Sequence, residues 1–308
     1  MPKVGLMVGR EETFPNALME EINGRGGDVT AEFVILEGTP QSWAPDYAVI
    51  LDRISHEVSY YQTAMKVAVL NGCQVINNPF WKLADDKFFG TALLEKLGIA
   101  VPRTVALPNL EHQEGITPES LRNLKYPLDW EGIASWIGFP AILKPHWGGG
   151  WKSVDKVENL EELMDAYHRS KSLCMTLQEF IDWEQYVRCL CIGKDQINPV
   201  PWDPTLPHHE RYTKARADIS DELMTRIINE ARMINHALGY DMNTVEFAIK
   251  DGVPYAIDFM NFTPDMDRNS LTEDQFVWAV KTMADLLIDR ATNPPPSPPM
   301  RWDGFLGA

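Results

Sequence analysis

Residues 139–152 read FPAILKPHWGGGWK, and the fold turns on how that run is read. Ala141, Ile142 and Leu143 make a short apolar strand that delivers Lys144 at its end. Proline and histidine follow, and then three consecutive glycines, Gly148, Gly149 and Gly150. Glycine has no Cβ, so successive backbone N–H groups can crowd together and point at one object, most often a phosphate. A lysine closing the preceding strand sets a compact positive charge beside them. The spacing is not that of a Walker loop, because GxxxxGK[ST] occurs nowhere in the chain. A flexible surface turn after a core strand is the other reading of the same letters.

Working outward, 308 residues are enough for two or three compact lobes with a full core. Hydrophobic content of 44% and charged content of 23% are those of a soluble globular enzyme. The net charge of −16 argues against a general binder of nucleic acid or of an acidic membrane. Any anionic ligand then needs a locally basic or metal-assisted pocket. The four cysteines (Cys73, Cys174, Cys189, Cys191) match neither a disulfide framework nor a zinc motif. Cys189 and Cys191 alternate along an apparent strand and read as small core residues in a reducing compartment. MPKVGLMVGR reads as an opening strand and not a signal peptide, and no apolar run approaches the roughly 20 residues that span a bilayer. A cytoplasmic location is the expectation.

The first 80 residues alternate strand and helix: Val4–Val8, helix Phe14–Ile22, Ala31–Leu36, Tyr47–Leu51, helix Ser59–Leu70 and Gln74–Ile76. That alternation predicts a small Rossmann-like lobe with a parallel sheet, over residues 1–82. GxGxxG is absent, so the lobe does not read as a dinucleotide site. A second lobe starts at 83, with a helix Phe88–Leu97 stopped by Gly98 and then a strand after Val101-Pro102-Arg103. Residues 108–128 read as a loop with a short helix. A helix at Asn159–His168 and strands at Met175–Ile181 and Tyr186–Ile192 follow. Residues 199–212, PVPWDPTLPHHERY, read as a proline-rich crossing without regular structure. A helix Asp221–Leu238 ends at Gly239. Next comes a hairpin, Thr244–Lys250 and Pro254–Met260, turned by Asp251-Gly252. The final helix is Thr272–Ala291, and PPPSPP in residues 293–308 predicts an extended tail.

Five segments then stand in one order: Asp86-Lys87, Leu143-Lys144-Pro145 with its glycines, Gln178-Glu179-Phe180-Ile181 with Glu184, Arg188, and the hairpin bearing Glu246 and Asp258. In that order the chain resembles the ATP-grasp superfamily, which includes glutathione synthetase, D-alanine–D-alanine ligase and the glutamate ligases that extend protein tails. The resemblance implies an α/β (α+β) architecture. A small Rossmann-like pre-ATP-grasp domain (1–82) precedes a two-lobed ATP-grasp domain (83–292), with a central lid lobe at about 105–175 and a C-terminal lobe at about 176–292. It implies that Lys87 and Lys144 sit on the ATP phosphates, where two cations offset several negative charges. Gly148, Gly149 and Gly150 would cover those phosphates. The backbone of Glu179, Phe180 and Ile181 would meet the adenine edge, and Glu184 would hold the ribose hydroxyls, a carboxylate being able to accept two charge-assisted bonds. An exposed first-turn lysine and an ordinary surface glutamate are the plainer readings of Lys87 and Glu184.

Arg188 interrupts the apolar run YVRCLCI, and an arginine there needs a partner, either an anionic ligand or a structural salt bridge. The resemblance places it, with Lys144, in catalysis. Glu246 and Asp258 would lie opposite one another across a three-residue turn, 251–253. Paired carboxylates among apolar neighbours repel unless a cation lies between them. The resemblance makes that cation Mg2+, two ions in all, with Mn2+ as an alternative. Here the chain departs from its relatives: Asp258-Phe259-Met260-Asn261 sets the asparagine one place late, and an aspartate stands where glutamate is commoner. Either a bulge returns Asn261 to the metal or its amide oxygen is replaced. Arg53, ending a strand, and Arg211-Tyr212, in the crossing loop, are candidate substrate contacts, with structural roles equally open. His208 and His209 make a poor chelate, since adjacent residues of an extended chain point opposite ways. The function implied is an ATP-dependent carboxylate–amine ligase, joining amino acids or a peptide through an acyl phosphate and releasing ADP and phosphate. Its partners would be small carboxylate and amine substrates, with neither nucleic acid nor membrane; related ligases are often homo-oligomers. A small-molecule kinase, or a non-catalytic nucleotide-binding protein with a degenerate metal site, are the alternatives.

Overall fold

The apolar letters of the opening strand are buried: Val4, Leu6 and Met7 lie in β1 (Lys3–Met7). The structure is a computed structural model, and it describes all residues except Leu83, 149–151, Thr213, Arg216 and 306–308, together with the side chain of His208. α1 (Thr13–Gly24) buries Phe14, Leu18 and Ile22, one stripe at a spacing of four. β2 (Thr30–Phe33), β3 (Val49–Asp52), α2 (Ser59–Leu70) and β4 (Gln74–Ile76) complete a parallel sheet in the order β2-β1-β3-β4. Parallel neighbours need crossovers, which α1 and α2 supply. This is the Rossmann-like lobe expected from the alternation.

α3 (Pro79–Lys82) and α4 (Lys87–Lys96) follow; Asp86 caps α4, its carboxylate accepting from Phe89 N at 2.8 Å. The second sheet is antiparallel, order β5-β8-β6-β7. In chain order it comprises β5 (Thr104–Leu107), α5 (Trp130–Ile137), β6 (Ala141–Pro145), β7 (Asp155–Val157), α6 (Leu160–Ser170) and β8 (Met175–Glu179). Leu107, Ile137, Leu143, Leu163, Tyr167 and Leu177 form its core.

The third sheet is antiparallel, order β10-β9-β11-β12. It is built from β9 (Gln185–Ile192), β10 (Gln196–Pro201), α7 (Asp221–Leu238), β11 (Met242–Lys250), β12 (Val253–Asp258) and α8 (Glu273–Thr292). Strand alternation sorts its two faces. Val187, Cys189 and Cys191 join Ile227 and Ile234 of α7, so both cysteines are core residues. Tyr186, Leu190 and Ile192 join α8 and the first sheet in one cluster.

Two expectations are corrected. Residues 199–201 are not irregular: Pro199, Val200 and Pro201 pair with Cys189, Arg188 and Val187. β10 is an edge strand, where a missing N–H toward the open side goes unnoticed. The rest of that crossing includes a 3-10 turn at His208–Glu210. The hairpin turn has two residues, not three: Lys250 pairs with Val253 across Asp251-Gly252, both at positive φ (51° and 71°). Phe247 then faces Ala256, which would put Ile257 opposite Glu246. A bulge between Glu246 and Phe247 leaves Ile257 out and restores Asp258 opposite Glu246. Beyond α8 the proline-rich residues 293–300 have no regular structure, while Trp302 packs edge-on against Phe80 at 4.9 Å. Among the described residues no helix is long and apolar enough to cross a membrane.

Candidate active site

The register of the third sheet makes a charged row. Arg188 of β9 is opposite Glu246 of β11, and Glu246 is opposite Asp258 of β12. The row lies on the face that turns toward α8 and the first sheet. Arg188 Nε is 3.6 Å from Glu246 Oε1, and its Nη2 donates to Thr244 Oγ1 at 3.0 Å. Tyr186 donates its hydroxyl to Glu246 Oε2 at 2.9 Å. From the start of α4, Lys87 Nζ comes within 3.6 Å of Asp258 Oδ2. Lys144 is the penultimate residue of β6 and is buried; its ammonium donates to Gln178 Oε1 of β8 at 2.9 Å and to the Ile257 carbonyl at 3.3 Å. The residue that the bulge removes from the ladder thus gives its oxygen to the lysine. One ammonium thereby ties the second sheet to the third.

The electrostatics follow from that crowding. Burial, helped by Lys87, holds the Lys144 ammonium down to about 8, against the pull of Asp258 and Glu246. Burial raises the Glu246 carboxyl, and neighbouring Asp258 adds to it, while Arg188 and the Tyr186 hydroxyl work the other way. Burial also works to raise Asp258, but Lys87, Lys144 and Arg188 together outweigh it and hold that carboxyl below its ordinary value.

Asparagines set the path after Asp258. Buried Asn243 donates from Nδ2 to Phe259 O at 2.8 Å and accepts from Asn261 N at 2.9 Å through Oδ1. The same Nδ2 reaches Asn235 Oδ1 of α7 at 3.0 Å. Asn77, also buried, donates to Met242 O at 2.7 Å and Phe262 O at 3.1 Å and accepts from Asp241 N and Met242 N at 2.7 and 3.0 Å. The displaced Asn261 is therefore drawn back to β11, where Thr244 N donates to its carbonyl at 3.3 Å. Sequence reasoning missed Asn77 and Asn243. A polar residue inside the apolar run DMNTVEFAI was the available signal for the second.

The other candidates spread around this row. Lys87 N donates to His146 O at 3.0 Å, docking the start of the glycine loop on α4. Gly148 stands at φ 106°, which favours glycine; Gly149 and Gly150 lie outside the described residues. Trp147 of that loop packs on Phe262, ring centroids 6.2 Å apart. Glu179 gives its carboxylate to Arg103, with two bonds of 3.0 Å, and its own N–H donates to Arg103 O at 2.8 Å. Phe180 N donates to Pro140 O at 3.4 Å, Ile181 is buried, and the exposed Glu184 is held by its own N–H to Ile249 O at 2.9 Å. Arg53 is buried and engaged internally, with Glu11, with Pro264 O at 2.6 Å and with Met242 Sδ at 3.1 Å. Those contacts favour the structural reading of Arg53. Beside it, Asp52 and Lys82 form a fully buried ion pair at 2.6 Å. Arg211 stacks on Trp202 at 5.4 Å and donates to Leu206 O at 3.0 Å, and Tyr212 is buried nearby. A small cavity opens among Lys87, Thr91, Lys144 and residues 257–260.

Solved structures share this fold. A RimK-domain ATP-grasp protein from Sphaerobacter thermophilus aligns over 93% of this chain and 99% of its own, at a TM-score of 0.67 and 19% identity. The chain has the ATP-grasp fold. A D-alanine–D-alanine ligase from Bacillus anthracis, solved with ATP, matches 94% of this chain and 97% of its own at a TM-score of 0.64 and 16% identity. The ATP-grasp ligase PsnB, solved with a minimal precursor, Mg and ADP, matches 94% and 98% at 0.61 and 18%. No protein-family model and no curated protein matches the sequence.

Proposed function

We propose that this ATP-grasp protein is an ATP-dependent ligase that joins a carboxylate to an amine. The observation that carries the reading is the meeting of Lys144, Lys87, Glu246 and Asp258 at the seam of two sheets, two cations against a buried and a half-buried carboxylate. Such a seam suits a polyphosphate bridged to carboxylates by divalent cations. Among the described residues no three His, Cys, Asp or Glu side chains gather to hold a metal alone. The donors at hand, two carboxylates and the amide of Asn261, are hard oxygens and fit Mg2+ when phosphate oxygens complete the sphere. When bound, the metal would supply charge neutralisation on the phosphates.

The chain's own part is positioning and exclusion of water. Lys87 and Lys144 orient the phosphates, and the main chain of 179–181 with Glu184 holds the nucleoside. Arg188 offsets charge on the terminal phosphoryl group as the substrate carboxylate takes it, and then on the tetrahedral oxyanion that forms when the amine adds to the acyl carbon. The acyl phosphate is then attacked by the amine, which expels phosphate. The test is to incubate the protein with Mg-ATP, a panel of acids and hydroxylamine. A hydroxamate, with ADP released in step, is expected, and Lys144→Ala should abolish both. A stable phosphoester in place of hydroxamate would make the protein a kinase; nucleotide binding without ADP release across the panel would remove the enzyme reading.

A further inference from the structure

Residues 293–303 read NPPPSPPMRWD, a run that the seam of the two sheets does not use. Each proline fixes φ near about −65° and biases the residue before it toward extended backbone, so the letters of 294–299 dictate polyproline II. The run hangs between two fixed points. At one end Asn293 N donates to Asp289 O of α8 at 2.6 Å, just past the buried Ala291. At the other the Trp302 ring meets Phe80 edge-on at 4.9 Å, and Met300 N donates to Asp303 Oδ2 at 2.7 Å. Between them residues 294–299 are exposed, and among the described residues nothing hydrogen-bonds to them. A stiff strap held at both ends has already given up much of the freedom that binding would cost.

The spacing names what the strap fits. Polyproline II turns once every three residues, so its side chains form three edges. Pro295, Pro298 and Arg301 share one edge, Pro296 and Pro299 the next, and Pro294, Ser297 and Met300 the third. Two Pro-Pro pairs therefore stand one turn apart, with a cation following on the same side. Met300, on the third edge, is partly buried, while both proline edges are exposed. Proline lacks an N–H, and its carbonyl stays open to a donor, so the matching surface is a groove of aromatic rings that bear N–H or O–H groups. Arg301 is exposed and lies 5.9 Å from the Trp302 ring; among the described residues no carboxylate pairs with it. A carboxylate at one end of the groove would complete that arginine and fix the direction of docking.

We propose that residues 295–301 are a docking strap for a partner protein with an aromatic-lined groove and a carboxylate at one end of it, the groove of an SH3 domain. The proposal does not rest on the ligase reading. None of its residues belongs to the seam of Lys87, Lys144, Glu246 and Asp258, so the strap can be altered without touching that site.

Calorimetry of the full chain is run against a purified SH3 domain that reads Pro-x-x-Pro-x-Arg, and against a WW domain that reads Pro-Pro-x-Tyr. The SH3 domain should bind and the WW domain should not. Arg301→Gln should weaken the SH3 complex about 10-fold, the loss of one charge-assisted contact. Pro296→Ala combined with Pro299→Ala should weaken it further, because one whole edge loses its rings. Ser297→Ala, on the third edge, should leave the affinity within about twofold. Absence of SH3 binding to the full chain would overturn the proposal, even if a free peptide of residues 293–303 bound, because the strap would then not be presented. Binding that survives both Arg301→Gln and the double variant would overturn it too, as would binding of the WW domain in place of the SH3 domain. If the same variants instead abolish self-association of the chain in sedimentation, the occupant is a second copy and the partner reading falls.

Discussion

Lys144 carries its charge into a protein wall, between the Gln178 amide and the Ile257 carbonyl, and burial with Lys87 beside it holds the ammonium down to about 8. Phosphate oxygens arriving there would favour the charged form and raise that value. A group whose pKa rises on binding contributes affinity that is fully present below its ligand-free value and is lost as the pH climbs above it. ATP binding should therefore take up a proton at about pH 8.5 and none at about pH 6.5, where the lysine is already charged. Calorimetry of a non-hydrolysable ATP analogue in two buffers of different ionisation heat reads that uptake directly. Buffer-independent heats at the higher pH would exclude Lys144 as the phosphate contact. In Lys144→Met the uptake should vanish along with most of the affinity.

The β11–β12 hairpin is where a local irregularity does the positioning. The bulge sets Asp258 opposite Glu246 and frees the Ile257 carbonyl for Lys144, while Asn243 holds residues 259 to 261 against β11. Asn243→Ala removes three bonds in the interior and should lower stability by about 3 kcal/mol, read as a shift of the urea midpoint at unchanged slope. It should also weaken Mg2+ binding more than nucleotide binding, because it releases Asn261. A midpoint within about 0.5 kcal/mol of the parent would show that the clamp is dispensable. Regular elements with strong periodicity were legible in the sequence: α2, α7 and β4 begin and end where the letters place them, and Gly239 stops α7 at φ 71°. α5 was not, since WEGIASWI puts a glycine in the first turn and buries little beyond Ile137. The prolines of β10 concealed a strand because only an edge tolerates them. The bulge was illegible because register belongs to two strands together. Asn77 was illegible because its partners lie 165 and 185 residues away.

At the scale of the molecule, the three sheets differ in how they are joined. Val4, Leu6, Phe14 and Leu18 of the first sheet and its helix share one core with Leu190, Ile192, Met283 and Leu287. Arg53 to Pro264 O, Asn77 to Phe262 O, and Gln74 to Arg290 O at 3.1 Å fasten the same boundary with polar contacts. The second sheet keeps a core of its own, drawn from residues 107 to 177. Among the described residues, Lys144 bonds it to the third through the Ile257 carbonyl. The expected division at residue 82 is therefore a boundary in topology and not in packing. A fragment of residues 1–82 would expose the face that buries Val4, Leu6 and Phe14, and it should give a collapsed NMR amide spectrum with no cooperative unfolding. A fragment of residues 102–180 should unfold cooperatively. In the whole chain, hydrogen exchange should release the amides of β5, β6 and β8 at lower free energy than those of β1, β3, β9 and β11. That ordering suits a lid that opens as one piece over a base that does not. Equal protection of all three sheets, or a well-folded fragment 1–82, would mean that the shared core does not couple the first sheet to the third.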